Sequence, residues 1–155
     1  MKSSESRLEA ILLRFWAWAG YDAADFAKDE VNCCRKKEPF DFPEIVEIRK
    51  LCYGLENGLG SLREAEDYLT CMALDNEDEE ILDHCAAYAP DDFVACIVAP
   101  AADHPQWGAR WQVAELLGRR KIPQRELLLN VFLQDPHPYV RRRAENALIN
   151  CRAMV

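Results

Sequence analysis

The side chains best suited to catalysis or metal binding are three histidines and seven cysteines, and their spacing assembles neither kind of site. His84 stands beside Cys85, and adjacent helical positions point to different faces, so a base and a thiol nucleophile do not meet there. His104 and His137 lie next to prolines, where a turn-stabilising role accounts for them. Cys33, Cys34, Cys52, Cys71, Cys85, Cys96 and Cys151 include no CxxC spacing, and the adjacent pair Cys33 and Cys34 is an awkward ligand set for a tetrahedral ion. There is no glycine-rich phosphate loop, HExxH or GxSxG motif. No catalytic residue, metal or cofactor is therefore expected. Cys52, Cys85 and Cys151 fall on apolar stripes, where a thiol acts as a small hydrophobe, and buried reduced thiols predict a reducing cytoplasm.

Recognition chemistry is better represented. Asp75, Glu77, Asp78, Glu79, Glu80 and Asp83 crowd one turn and helix start, and Asp91 and Asp92 follow one helix later. Charge is unevenly spread around the net value of -8. Residues 1–50 carry nine basic and ten acidic side chains, residues 51–103 one and thirteen, residues 104–155 nine and four. Acids at a helix N-terminus favour the macrodipole by about 0.3–1 kcal/mol each, which explains Asp91 and Asp92. It does less well for the crowded turn, where like charges repel; such a field attracts a basic partner and speeds its association. Calcium fits poorly, because an EF-hand loop starting at Asp75 would need glycine at Glu80 and glutamate at Ala86.

The elements that position these residues all read as helices. Leu8, Ile11, Leu12, Phe15 and Ala19 form a stripe that stops at Gly20, and Asp22 can cap a second helix with Phe26, Ala27, Val31 and Cys34. Asp41 with Glu44 resembles a capping box for a third helix (Ile45, Ile48, Cys52, Leu55) ended by Gly58, and Ser61 with Glu64 repeats it for a fourth (Leu62, Ala65, Leu69, Met72). A fifth carries Ile81, Leu82, Cys85, Tyr88 and Ala89. A sixth, opened by Pro90-Asp91, carries Phe93, Val94, Ile97 and Val98 and is closed by Pro100. Pro123 starts an eighth, striped by Leu127, Leu128, Val131 and Phe132. No segment alternates with period two, so no sheet is expected.

The seventh and ninth helices come from two copies of one pattern. His104 to Leu117 and Asp135 to Leu148 match 31 positions apart: Pro105 with Pro136, Ala109 with Val140, Arg110 with Arg141, Val113 with Ala144, Leu116-Leu117 with Ala147-Leu148. A period of this size marks stacked helical repeats, because one helix pair cannot bury its apolar face alone. With their Asp-Pro turn, Val-Arg step and small residues before leucine, these segments resemble HEAT-like repeats. A third copy from Asp75 to Ala89 keeps Ile81 and Cys85 but has Leu82 where the arginine belongs. The resemblance implies an all-α, right-handed α-solenoid of antiparallel helix pairs, about nine helices in one domain over 1–155. Residues 61–155 are the repeats and 1–60 divergent helices or a cap.

Trp111 is set against Arg142 of the other copy, off the core stripe, a pattern that predicts a partly exposed indole suited to contact; packing against the neighbouring repeat is the slightly favoured reading. Trp107 is one turn away on the same face. Trp16 and Trp18 are assigned to the N-terminal core. The partner-binding candidates are thus Asp75, Glu77, Asp78, Glu79, Glu80, Asp83, Trp107 and Trp111.

The basic segments Arg119-Arg120-Lys121 and Arg141-Arg142-Arg143 invite a nucleic-acid reading, and some HEAT-like proteins are DNA glycosylases. Repulsion from the acidic middle opposes it, and Arg141 is a repeat arginine held by its own scaffold. HEAT-like iron hydroxylases use His-Glu pairs, absent from this chain. A small acidic HEAT-like protein also resembles bacterial immunity proteins that neutralise toxins, many of them basic nucleases; an adaptor or assembly chaperone is the other HEAT-like alternative. Met1 to Glu5 leads into a charged amphipathic segment without the apolar run of a secretory signal, and the apolar stretch Phe93 to Ala102 is too short to cross a bilayer, so a cytoplasmic protein and no membrane partner are expected.

Overall fold

The computed structural model describes residues 6–153, and among them there are ten α-helices, one 3-10 turn and no strand. Helix α1 (Arg7–Ala19) follows the expected stripe: Ser6 accepts the N–H of Glu9, Gly20 closes the helix at φ 78°, and Leu8, Ile11, Leu12, Phe15 and Ala19 are buried. The expected second helix is two, α2 (Ala23–Lys28) and α3 (Glu30–Lys36), which accounts for ten helices instead of nine. Asp29 breaks the chain at φ -152°, ψ 72° and its carboxylate then accepts the N–H of Asn32 to start α3. The break rotates the register, so Cys33 is buried and Val31 is exposed.

A 3-10 turn (Pro39–Asp41) leads to α4 (Ile45–Leu55). The expected capping box at its start does not form: Asp41 belongs to the turn, and the Glu44 carboxylate pairs with Arg14 at 3.0 Å. Helix α5 (Leu62–Leu74) does begin at Ser61, whose hydroxyl accepts the Glu64 N–H while Glu64 accepts that of Gly60. It buries Asp67, Tyr68, Leu69, Cys71 and Met72, because α1, α4, α7 and α8 all pack on it; Leu62, at its first turn, is exposed.

Helix α6 is Glu80–Tyr88 and α7 is Asp91–Ala102. Pro100 does not close α7, which continues to Ala102. Only the Cys96 carbonyl loses its intrahelical donor to the proline, and Cys96 faces out, where water can serve it. After α8 (Trp107–Arg119), Pro123 and Gln124 form a turn, and α9 (Arg125–Leu133) starts two residues later than expected. Its buried residues are Leu129 and Phe132; Leu127 and Val131, expected inside, are exposed. Helix α10 is Pro138–Ala153.

From α4 onward the helices pack in two interleaved series. Helix α4 touches α6, α6 touches α8 and α8 touches α10, while α5 touches α7 and α7 touches α9. Two glycines let α8 sit close to both: an added Cβ at Gly108 would lie 3.5 Å from Ala73 of α5, and at Gly118 only 2.8 Å from Ala147 of α10. Among the described residues no helix is long and apolar enough to cross a membrane.

Candidate partner-binding surface

The turn from α5 to α6 carries most of the acids, and an arginine beneath it sorts them. Arg49 of α4 is buried, and its Nε and Nη2 donate to Oδ1 of Asp75 at 3.0 and 2.8 Å. Oδ2 of Asp75 accepts the Ile81 N–H at 2.8 Å, which fixes the start of α6. Asp75 is only 3% exposed, so this candidate contact residue belongs to the scaffold. Burial pushes its carboxyl above the usual range, against the pull of the Ile81 amide and Arg49.

The same guanidinium reaches Asp78 at 2.8 Å and Glu80 at 3.4 Å, both with half-exposed side chains. Glu77 is exposed, Glu79 partly so, and Asp83 is exposed but paired with Arg119 at 2.8 Å. Glu79 adopts φ 52°, the left-handed region, which directs the chain into α6. Asn76 donates to Glu30 of α3, tying that helix to the turn. The outer face of the turn therefore presents Glu77, Asp78, Glu79 and Glu80 over one buried cation.

Trp107 and Trp111 belong to an aromatic cluster shared by α8 and α10. The Trp107 ring stacks on His137 at 4.3 Å, and Tyr139 meets both indoles edge-on at 5.6 Å. Arg143 lies over Trp111 at 4.6 Å. Trp111 is 6% exposed, packed against the neighbouring copy as the second of the two expectations has it and not partly exposed: α10 covers it with Tyr139 and Arg143. Trp107 remains partly accessible at the edge.

The matched segments repeat one another down to single hydrogen bonds. His104 Nδ1 accepts the N–H of Gln106 at 3.0 Å, and its counterpart Asp135 accepts that of His137 at 2.9 Å. Arg110 donates to the His104 carbonyl and Arg141 to the Asp135 carbonyl, each six residues back. His137 Nδ1 in turn accepts the Tyr139 N–H, so both histidines brace turns as their position beside prolines predicts.

A second polar cluster escapes sequence reasoning. Glu56, buried at the end of α4, accepts from His84 Nδ1 at 2.8 Å and from the Tyr68 hydroxyl at 3.0 Å. The imidazole is stacked on Tyr53 at 3.8 Å and flanked by exposed Tyr88 at 4.9 Å. Burial raises the Glu56 carboxyl, and His84 and Tyr68 hold it back. The pair orients one imidazole, but no nucleophile lies among its hydrogen-bond partners. Among the described residues no group of three His, Cys, Asp or Glu is placed to hold a metal ion. No local motif announces the pair, since its members are 28 positions apart.

The arginines of the basic C-terminal third are mostly engaged. Arg110 clasps Asp135, Arg120 holds Asp91 and the Cys85 carbonyl, Arg125 donates to the Arg120 and Cys151 carbonyls, and Arg143 pairs with Glu115. No protein-family model, curated protein or solved structure matches this chain.

Proposed function

We propose that this chain is a non-enzymatic, cytoplasmic protein-binding module built as a right-handed HEAT-like solenoid, and that it acts as an immunity protein occluding a basic, nuclease-type bacterial toxin domain. The observation that carries the reading is the outer face of the α5–α6 turn, where Glu77, Asp78, Glu79 and Glu80 crowd above the single buried Arg49. Four carboxylates at that density mimic the phosphates a nuclease expects and steer a cationic surface towards them. The two interleaved helix series and the repeated arginine and turn hydrogen bonds support the solenoid. Trp107, partly accessible at the edge of α8, is the aromatic contact retained from the sequence; Asp75 and Trp111 act beneath the surface.

A nucleic-acid ligand is disfavoured because Arg110, Arg119, Arg120, Arg125, Arg141 and Arg143 are engaged within the fold and phosphate contacts would have to displace them. Affinity capture from the native organism, with identification of what co-purifies, tests the proposal. One stoichiometric basic toxin domain is the expected result; a set of unrelated cellular proteins would point to an adaptor instead. With that partner in hand, Glu77→Lys with Glu79→Lys spares the groups that hold Arg49. Association should slow by about tenfold or more at low salt, with the difference shrinking as salt rises. An unchanged association rate would overturn the electrostatic mechanism.

A further inference from the structure

Away from the acidic turn, a cleft of about 490 Å³ opens between α1, α5 and the turn from α7 to α8, a size suited to a small organic molecule. One wall is apolar, formed by Leu12, Leu13 and Trp16 of α1 with Pro100 of α7 opposite. Four carboxylates share the lining, Glu9 from α1 and Glu66, Asp67 and Asp103 from α5 and the turn after α7, and among the described lining residues Arg63 is the one cation. Asp67 is 7% exposed, yet its Oδ2 is buried with no hydrogen-bond partner among the described residues. Its Oδ1 receives only the Arg63 Nε, at a long 3.3 Å.

Arg63 is 64% exposed on its side chain and divides itself between Asp67 and Glu9, with 3.3 Å to each. It covers the carboxylate loosely and can swing away at little cost. His104, also in the wall, does not neutralise the cleft. Its Nδ1 accepts from Gln106, so its N–H is on Nε2 and is directed to the Glu66 carbonyl and Thr70. A buried carboxylate oxygen without a donor is costly, and a ligand that supplies N–H groups removes that cost.

We propose that this cleft binds a small organic cation, an alkylammonium or alkylguanidinium whose head displaces Arg63 to donate to Asp67 and whose apolar tail lies along Leu12, Trp16 and Pro100. The four carboxylates reject anions, and the apolar wall selects against a bare metal ion, for which no ligand group of three is assembled among the described residues. The site is independent of the α5–α6 turn, so its failure leaves the protein-binding proposal standing.

Titration calorimetry of the whole chain with 2-phenylethylammonium and n-butylguanidinium tests this, using phenylacetate and 2-phenylethanol as anionic and neutral controls of similar shape. Saturable binding of either cation, with the controls at least about tenfold weaker, is expected from one charge-assisted hydrogen bond. Asp67→Asn, which removes a buried charge without changing shape, should fold with a raised unfolding midpoint and bind the cations about tenfold more weakly. Arg63→Ala should tighten binding by freeing Oδ1 of Asp67, the one oxygen that Arg63 occupies. Equal binding of the controls, unchanged binding by folded Asp67→Asn, or no cation binding at millimolar concentration would each overturn the proposal.

Discussion

Arg49 of α4 clasps Asp75, 26 positions on, as Arg110 of α8 clasps Asp135, 25 positions on. In both, an arginine near a helix start reaches the aspartate that follows the next helix, and that aspartate then accepts a backbone N–H: Ile81 in one case, His137 in the other. The two arginines are 61 positions apart, about twice the 31-residue repeat. The clasp thus recurs, at the first and third helices of the series α4, α6, α8 and α10.

Removing one partner of the Arg49 clasp should be far worse than removing both. Arg49→Met strands a buried carboxylate and is expected to cost about 3–5 kcal/mol, with Asp78 and Glu80 losing their shared cation as well. Arg49→Met combined with Asp75→Leu should recover much of that loss, since an apolar pair avoids desolvating two charges; the Ile81 N–H left without its acceptor keeps the recovery incomplete. Urea unfolding of the two singles and the double measures the coupling directly. Additive losses would mean that the clasp is not a unit.

Gly118 and Gly108 both lie on α8, yet alanine should act oppositely at the two. At Gly118 the new Cβ would stand 2.8 Å from both Cα and Cβ of Ala147, so α10 must move, at a cost of about 1–3 kcal/mol. At Gly108 the nearest atoms of Ala73 are at 3.5 Å, ordinary contact, and the gain in helix propensity of up to about 1 kcal/mol should prevail. Thermal unfolding of the two variants checks the signs.

These contrasts show which features the residues alone disclose. Helices buried on one side, such as α1 and α4, are legible because their apolar residues recur at the helical period. Helix α9 is misread because Leu127, Leu128 and Leu129 are consecutive, and the run offers several registers; packing selects Leu129 with Phe132. The match of Trp111 to Arg142 leaves both packing and exposure open, because it says nothing of Tyr139 and Arg143, which cover the indole from α10. Asp75 looks like one acid among six, and only Arg49 distinguishes it. Two 31-residue steps back from Arg110 fall on Ile48, one position short of that arginine, so the spacing alone does not pick it out. The Glu56 and His84 pair, set by the packing of α4 against α6, leaves no trace in the spacing either.

Glu79 and Gln124 hold φ values of 52° and 63° immediately before α6 and α9, a conformation that costs a side-chain-bearing residue about 1–2 kcal/mol. Glu79→Gly and Gln124→Gly should each therefore raise stability, by up to about 1 kcal/mol after the greater chain entropy of glycine is subtracted. At Glu79 the gain carries a second consequence, since removing that carboxylate also thins the acidic face. A variant more stable yet slower to associate with a basic partner would separate scaffold from recognition at one position, by unfolding and binding kinetics on the same sample.

His104 makes the fold sensitive to mild acid. Burial, and then the nearby Arg110, push its imidazole from the ordinary 6.5 down to about 4, against the Glu66 carbonyl, which accepts from its Nε2–H. A depressed histidine is held neutral by the native state, so its contribution is present above pH 6.5 and is lost as pH falls towards 4. The loss amounts to about 3 kcal/mol at the lower limit, each pKa unit being worth about 1.4 kcal/mol. The raised carboxyls of Asp67 and Asp75 act with opposite sign: their contribution is complete below the ordinary aspartate range and is lost as pH rises through it. The two effects overlap, so the wild-type profile alone does not isolate the histidine. His104→Asn keeps an acceptor for the Gln106 N–H and carries no titrating group. The difference in unfolding free energy between wild type and this variant should therefore shrink steadily from pH 7 to pH 4, and a difference independent of pH would show that His104 is not held neutral.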